Sequence, residues 1–123
     1  MMEEAMISSI GGSLSALSAF GKKMGVTSNN VANWQSEEFK KSRTVLTEGQ
    51  NRTVKTQIER IDTPGPVVAE TGKDGKEIER ELSNVDLAEE IPQTVTAQRG
   101  YEANLKSIQV QEETLKSVID ILG

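Results

Sequence analysis

The sequence contains no cysteine and no histidine. Without cysteine there is neither a disulfide nor a thiol nucleophile, and without histidine the commonest general base near neutral pH and the usual zinc ligands are gone. Aromatic residues make up 3% of the chain, and Phe20, Trp34, Phe39 and Tyr101 are the whole set, so any core must be built from aliphatic side chains. No apolar run approaches the roughly 20 residues that span a bilayer. The N-terminus, MMEEAMISSIGG, begins with acids where an ordinary secretory signal carries a basic region, so any exit from the cytosol is expected to use another route. The formal net charge of -5 works against the counterion release that holds proteins on nucleic acid. These absences argue against an enzyme: no nucleophile and base are paired, and no cofactor, metal or small-molecule substrate is indicated. The adjacent acids Glu89-Glu90 and Glu112-Glu113 do not form a ligand set, because neighbours on a helix point about 100° apart.

What is present divides the 123 residues into three segments, 1–33, 34–82 and 83–123. In the first, Ile7, Ile10, Leu14, Leu17, Met24 and Val31 recur at threes, fours and sevens, which predicts a helix with an apolar stripe. Ile10, Leu17, Met24 and Val31 share one heptad position; the companion position holds Ile7 and Leu14 and then weakens to Gly21 and Ser28. Gly11, Gly12, Gly21 and Gly25 each cost up to about 1 kcal/mol of helix propensity, so this helix is expected to be marginal by itself. The last segment reads more strongly. Leu87, Tyr101, Ile108, Leu115 and Leu122 fall at one heptad position, and Ile91, Leu105 and Ile119 at the other, with the polar Thr94, Gln98 and Glu112 interrupting the seam. Ser83 or Asn84 is expected to cap this helix, and Pro92 predicts either a kink or a start at about Ile91. Residues 83–123 carry three basic and seven acidic side chains, so the acidity of the chain sits largely there.

Between the helices the character changes. Valine, isoleucine and threonine alternate with charges in RTVKTQIERI, and TPGP and KDGK are turn signals. Asp74-Gly75 is a hairpin dipeptide, so the middle is expected to hold a small unit of two or three strands. The fold predicted from these parts is mainly α: two long terminal helices pairing as an antiparallel coiled coil, joined by a short segment containing a β-hairpin.

Two motifs carry a resemblance. TSNNVANWQSEEFKKSR, Thr27 to Arg43, resembles the N-terminal signature of flagellar rod, hook and hook-associated proteins, whose usual form is close to S-N-N-I-A-N-x-x-T-x-G-[FY]-[KR]. SNVDLAEEIPQTVTAQRGYEANLKSIQVQEETLKSVIDIL, Ser83 to Leu122, resembles the C-terminal signature of the same family. The order is that of the family, and the short middle resembles proximal rod subunits. The chain departs from the pattern at Trp34, at Pro92, and at Ser36-Glu37-Glu38, where the usual T-x-G turn is expected to give way to a different loop. The resemblance implies a structural subunit of the basal-body rod in the periplasmic space, made in the cytoplasm and exported by the flagellar type III apparatus without a cleaved signal. Its partners would be copies of itself, other rod proteins and the export apparatus.

The site residues implied are assembly determinants. They are Ile10, Leu17, Met24 and Val31 on the first helix and Leu87, Leu105, Ile108 and Leu115 on the second. With them go Asn29, Asn30, Asn33 and Phe39 of the first signature, and Gln98, Arg99, Tyr101, Glu102 and Asn104 of the second. By chemistry alone, Asn29, Asn30 and Asn33 read as a helix C-terminus, Arg99 and Glu102 as a surface pair, and Tyr101 as core. The rival reading is a cytosolic coiled-coil adaptor or export chaperone, which would share the helical pattern but lack the paired signatures.

Overall fold

The structure is a computed structural model that describes residues 2–123; Met1, at the head of the predicted first segment, lies outside the described residues. Two helices, α1 (Met2–Ala32) and α2 (Leu87–Leu122), flank four strands: β1 (Ser42–Glu48), β2 (Val54–Arg60), β3 (Val67–Thr71) and β4 (Glu77–Glu81). Strands β1 and β2 form one antiparallel two-stranded sheet, with Ser42 facing Arg60 and Glu48 facing Val54. Strands β3 and β4 form a second, with Val67 facing Glu81 and Thr71 facing Glu77. Asp74-Gly75 makes the turn of that second hairpin, with Gly75 at φ 78.

The helices lie side by side and run antiparallel, since Ser13 meets Gln111, Phe20 meets Gly100 and Asn30 meets Glu90. The expectation of a mainly α molecule built on a coiled coil is nevertheless corrected on two counts. The middle holds four strands in two separate sheets, more β structure than a single short excursion. And the α2 positions that face α1 differ by one residue at every second step from those the heptad pattern selects. Leu87, Thr94, Tyr101, Ile108 and Leu115 are buried or half-buried as expected, but their companions are Glu90, Ala97, Asn104, Gln111 and Val118. Ile91, Leu105 and Ile119 are 55%, 42% and 50% exposed, and Gln98 and Glu112 also face outward.

The physical reason lies in side-chain size. Small residues allow the two backbones to approach closely, and here they fill part of the contact face: Ala19 and Ala97 are buried, and Tyr101 stands over Gly21. A Cβ on Gly100 would lie 2.6 Å from the ring of Phe20, so the absence of a side chain there makes the slot that the ring fills. A heptad rule that looks for large apolar residues cannot see such a face.

On α1, Ile10, Leu17, Met24 and Val31 are half-buried, while Ile7 and Leu14 are exposed. Ala19, Thr27 and Asn30 are its fully buried residues among those described. The β1–β2 hairpin packs along α1: Val54 N–H donates to Ser15 Oγ at 2.9 Å. At Gly12 a Cβ would sit 3.0 Å from the Arg52 carbonyl oxygen in the turn between these strands. The start of α2 also differs from expectation. Asp86, rather than Ser83 or Asn84, is the N-cap, its carboxylate accepting from Ala88 N–H at 3.0 Å, and the helix runs from Leu87 through Pro92. Glu89 and Glu90 in the first turn suit the positive end of the helix dipole.

Candidate functional site

The two signature segments meet at a polar junction where the end of α1, the start of β1 and the first turn of α2 converge. Asn30 is fully buried at 0% exposure. Its amide nitrogen donates to the Ser42 carbonyl at 2.8 Å and its oxygen accepts from Ser42 N–H at 3.0 Å, so it pairs with the first residue of β1 as a neighbouring strand would. The same amide nitrogen donates to Glu90 Oε2 at 3.2 Å. Glu90 is also 0% exposed. Its other oxygen has no hydrogen-bond partner and lies 3.8 Å from Arg43 Nη2.

Around this centre β1 and its lead-in supply cations, and α2 and the end of β4 supply anions. Lys41 Nζ lies 3.1 Å from Glu89 Oε2, and Arg43 pairs with Glu89 Oε1. Lys40 pairs with Glu81. The Glu81 carboxyl is held below the usual carboxylate range, first by the hydrogen bond from Lys40, then by Gly65 N–H, with the Lys40 charge adding to both and burial opposing them. On the second sheet, the hydrogen bond to Glu70 is the largest influence raising the Arg80 pKa, followed by the charge of Glu37.

Asn84 knits the backbone together. Its oxygen accepts from Lys41 N–H at 2.7 Å, its nitrogen donates to the Ile61 and Thr63 carbonyls at 2.8 and 2.9 Å, and its own N–H donates to Phe39 O. Glu38 N–H donates to Glu81 O at 3.0 Å. Glu38 sits at φ 58, in the left-handed region. The loop expected to replace the glycine turn therefore keeps the conformation a glycine would supply, with a glutamate in it.

The other residues singled out by the sequence are placed as follows. Asn29 and Asn33 end α1, with Asn33 Nδ2 donating to the Asn29 carbonyl at 2.9 Å and Asn33 Oδ1 accepting from Ser36 Oγ at 3.0 Å. Phe39 is half-buried in the junction. Asn104 donates to the Gly100 carbonyl at 2.7 Å on the α1 side of α2. Gln98, Arg99 and Glu102 face outward; Glu102 accepts from Gln98 at 3.3 Å, and the expected pair with Arg99 is not formed. The sequence reading missed Ser42, Lys41, Arg43, Glu81, Asn84, Glu89 and Glu90. The signal available for them was charge: the basic run Lys40, Lys41 and Arg43 in one signature is complementary to Glu89 and Glu90 in the other.

Beside the junction lies an open apolar groove of about 380 Å³, lined by Ser28, Val31, Ala32, Ile91, Thr94 and Val95. Among the described residues no three acidic side chains are grouped as metal ligands would be, and no helix is long and apolar enough to cross a membrane. The arrangement is one of packing and hydrogen bonding.

Residues 81–121 match the family model described as the flagellar basal body rod FlgEFG protein C-terminal. The matched stretch runs from the end of β4 through α2 and contains Asn84, Glu89 and Glu90 of the junction. No curated protein matches the chain.

Proposed function

From the premise that this chain is a flagellar rod family protein, carrying the rod C-terminal segment at residues 81–121, we propose that it is a structural subunit of the flagellar basal-body rod. In this reading it is exported by the flagellar type III apparatus and assembles in the periplasmic space with its own copies and with other rod proteins. The observation that carries the reading is the coincidence of the matched segment with α2, on which Ile91, Leu105 and Ile119 are left about half exposed. A row of aliphatic side chains left in water is unfavourable by about 25 cal/mol per Å² of apolar surface, and contact with neighbouring subunits would remove that penalty. Gln98 and Glu112 interrupt the row, and Asn29, Arg99 and Glu102 face outward too and offer further polar contacts. The work is done by binding, and no reaction is involved.

Placing a charge in the row tests this. The Leu105→Glu variant should fold as the parent does, since the side chain is 42% exposed and a carboxylate there can reach water, yet be absent from purified basal bodies and fail to restore motility to cells lacking the parent. Basal bodies that contain the variant at parental amount, in fully motile cells, would rule the proposal out.

A further inference from the structure

The row Ile91, Gln98, Leu105, Glu112 and Ile119 of α2 alternates apolar with polar, and every member is exposed. On α1 the row Ile7, Leu14, Gly21 and Ser28 runs from large to small, with Ile7 and Leu14 57% and 51% exposed. Both rows lie on one side of the helix pair, because Ser28 from the first and Ile91 from the second line the same apolar groove. The β1–β2 hairpin does not cover that side: it meets α1 at Gly12, two residues and therefore about 200° round the helix from Leu14. The result is an open face two helices wide and, for the 31 residues of α1, about 45 Å long. With helix axes about 9 Å apart it presents roughly 800 Å², the area a standard interface takes from each partner.

The two rows fit a second copy of themselves. When the α2 row is laid against a copy running the opposite way, with Leu105 on a two-fold axis, Ile91 meets Ile119 and Gln98 meets Glu112 at both ends. Gln98 Nε2 spends one N–H on Glu102, and the other is free for the carboxylate of the second copy. A parallel copy in the same register would set Glu112 on Glu112. A shift of seven in either direction sets an aliphatic side chain on Gln98 or Glu112 at every step, and a parallel shift of fourteen matches only part of the row without closing a pair. The α1 row agrees. Contacts of Ser13 with Gln111 and of Phe20 with Gly100 place Leu105 level with Leu17. The same axis therefore lays Leu14 over Gly21 and Ile7 over Ser28, each large side chain on a small one. On the outer flank, Arg99 of one copy comes within two residues, about 3 Å, of the level of Glu113 of the other. Both are exposed, and no ion pair among the described residues uses either.

We propose that this face is a docking site for a second copy of the chain, antiparallel and related by a two-fold axis at Leu105. The pair closes as a four-helix bundle, with Ile119 of each copy seated beside Ile91 in the groove of the other. The dimer covers the row that the proposed rod contact would use, so the two exclude one another, and it needs nothing but two copies of this chain.

Sedimentation equilibrium of the purified full chain is expected to show a dimer. The chain lacks cysteine, so introduced thiols report direction. Ile91→Cys mixed with Ile119→Cys in a thiol–disulfide buffer is expected to give a linked dimer with one chain of each, while neither variant links to itself. Arg99→Glu is expected to raise the dimer Kd roughly tenfold, since two ion pairs are lost and two repulsions made. Arg99→Glu combined with Glu113→Arg is expected to restore it. Within one chain these residues lie about 21 Å apart along α2, so the rescue reports a contact between copies. A parent that stays monomeric up to about 1 mM, where even weak specific association is populated, overturns the proposal. So does Ile91→Cys linking to itself, which would show a parallel pair, and so does a double charge variant that binds no tighter than Arg99→Glu. All of these are read on purified protein, whereas the content of basal bodies tests the rod reading separately.

Discussion

Glu38 occupies a backbone conformation that suits glycine, and relieving it should stabilise the protein. At φ 58 the Cβ of an L-residue crowds the following carbonyl, which costs roughly 1–2 kcal/mol. Glycine removes that cost but gains freedom in the unfolded chain, which offsets about 0.5–1 kcal/mol. The Glu38 side chain is exposed, and no ion pair among the described residues involves it, so its loss takes little away. The Glu38→Gly variant should therefore gain about 0.5–1 kcal/mol, a rise in Tm of roughly 2–4 °C for a domain of this size. Glu38→Ala is the control, since alanine keeps the crowded Cβ and should show no gain. The measurement is paired thermal and denaturant unfolding of the three proteins. Glu38→Gly no more stable than the parent, or Glu38→Ala stabilised equally, would show that the turn is unstrained or that the glutamate charge is the source of the effect.

Three further outcomes follow from the junction and the helix contact. Asn84→Ala removes three hydrogen bonds to the Lys41, Ile61 and Thr63 backbone, and at about 1 kcal/mol each, less for the exposed one, denaturant unfolding should register a loss of roughly 2–3 kcal/mol. Because the Glu81 pKa is lowered from 4.5 in the folded state, its contribution is complete above that value and disappears as pH falls through the folded value. Stability measured from pH 6 down to 3 should thus fall less steeply in Glu81→Gln than in the parent, and identical slopes would remove Glu81 from the account. Gly100→Ala drives a methyl to within 2.6 Å of Phe20 and should destabilise by about 1–3 kcal/mol, with Phe20→Leu restoring most of the loss; additive losses in the double variant would mean the two do not meet.

Much of the plan was legible because it rests on local rules. The apolar periodicity placed both helices, and Asp74-Gly75 marked its hairpin. One half of the α2 contact line was legible for the same reason, since Leu87, Tyr101, Ile108 and Leu115 are large and apolar. The other half was not, because Glu90, Ala97, Asn104 and Gln111 are polar or small, and Ile91, Leu105 and Ile119, one residue further on, fit the pattern better while facing outward. The sheets were under-read for a related reason: β4 is mostly charged, EIERE, and its pairing draws on contacts such as Arg80 with Glu70 across the hairpin, which no hydrophobic alternation announces. By local rules the asparagines at the end of α1 stop a helix. That fits the local bonds of Asn29 and Asn33, but the burial of Asn30 depends on Ser42 and Glu90, 12 and 60 residues away. By local rules Asn84 is a candidate helix cap, yet its partners lie 21 to 43 residues away.

The small side chains of the helix contact bear on heat as well as on shape. Glycine and alanine have no rotamers to lose, so bringing Ala19, Gly21, Ala97 and Gly100 together spares the side-chain entropy that ordering long residues would require. The same choice leaves little apolar surface newly hydrated when the helices part, and it is that hydration which gives unfolding its large heat capacity. These four positions therefore add little to the curvature of the stability curve, and the temperature dependence of the pairing of α1 with α2 is carried by the larger Phe20, Leu87, Tyr101, Ile108 and Leu115 beside them.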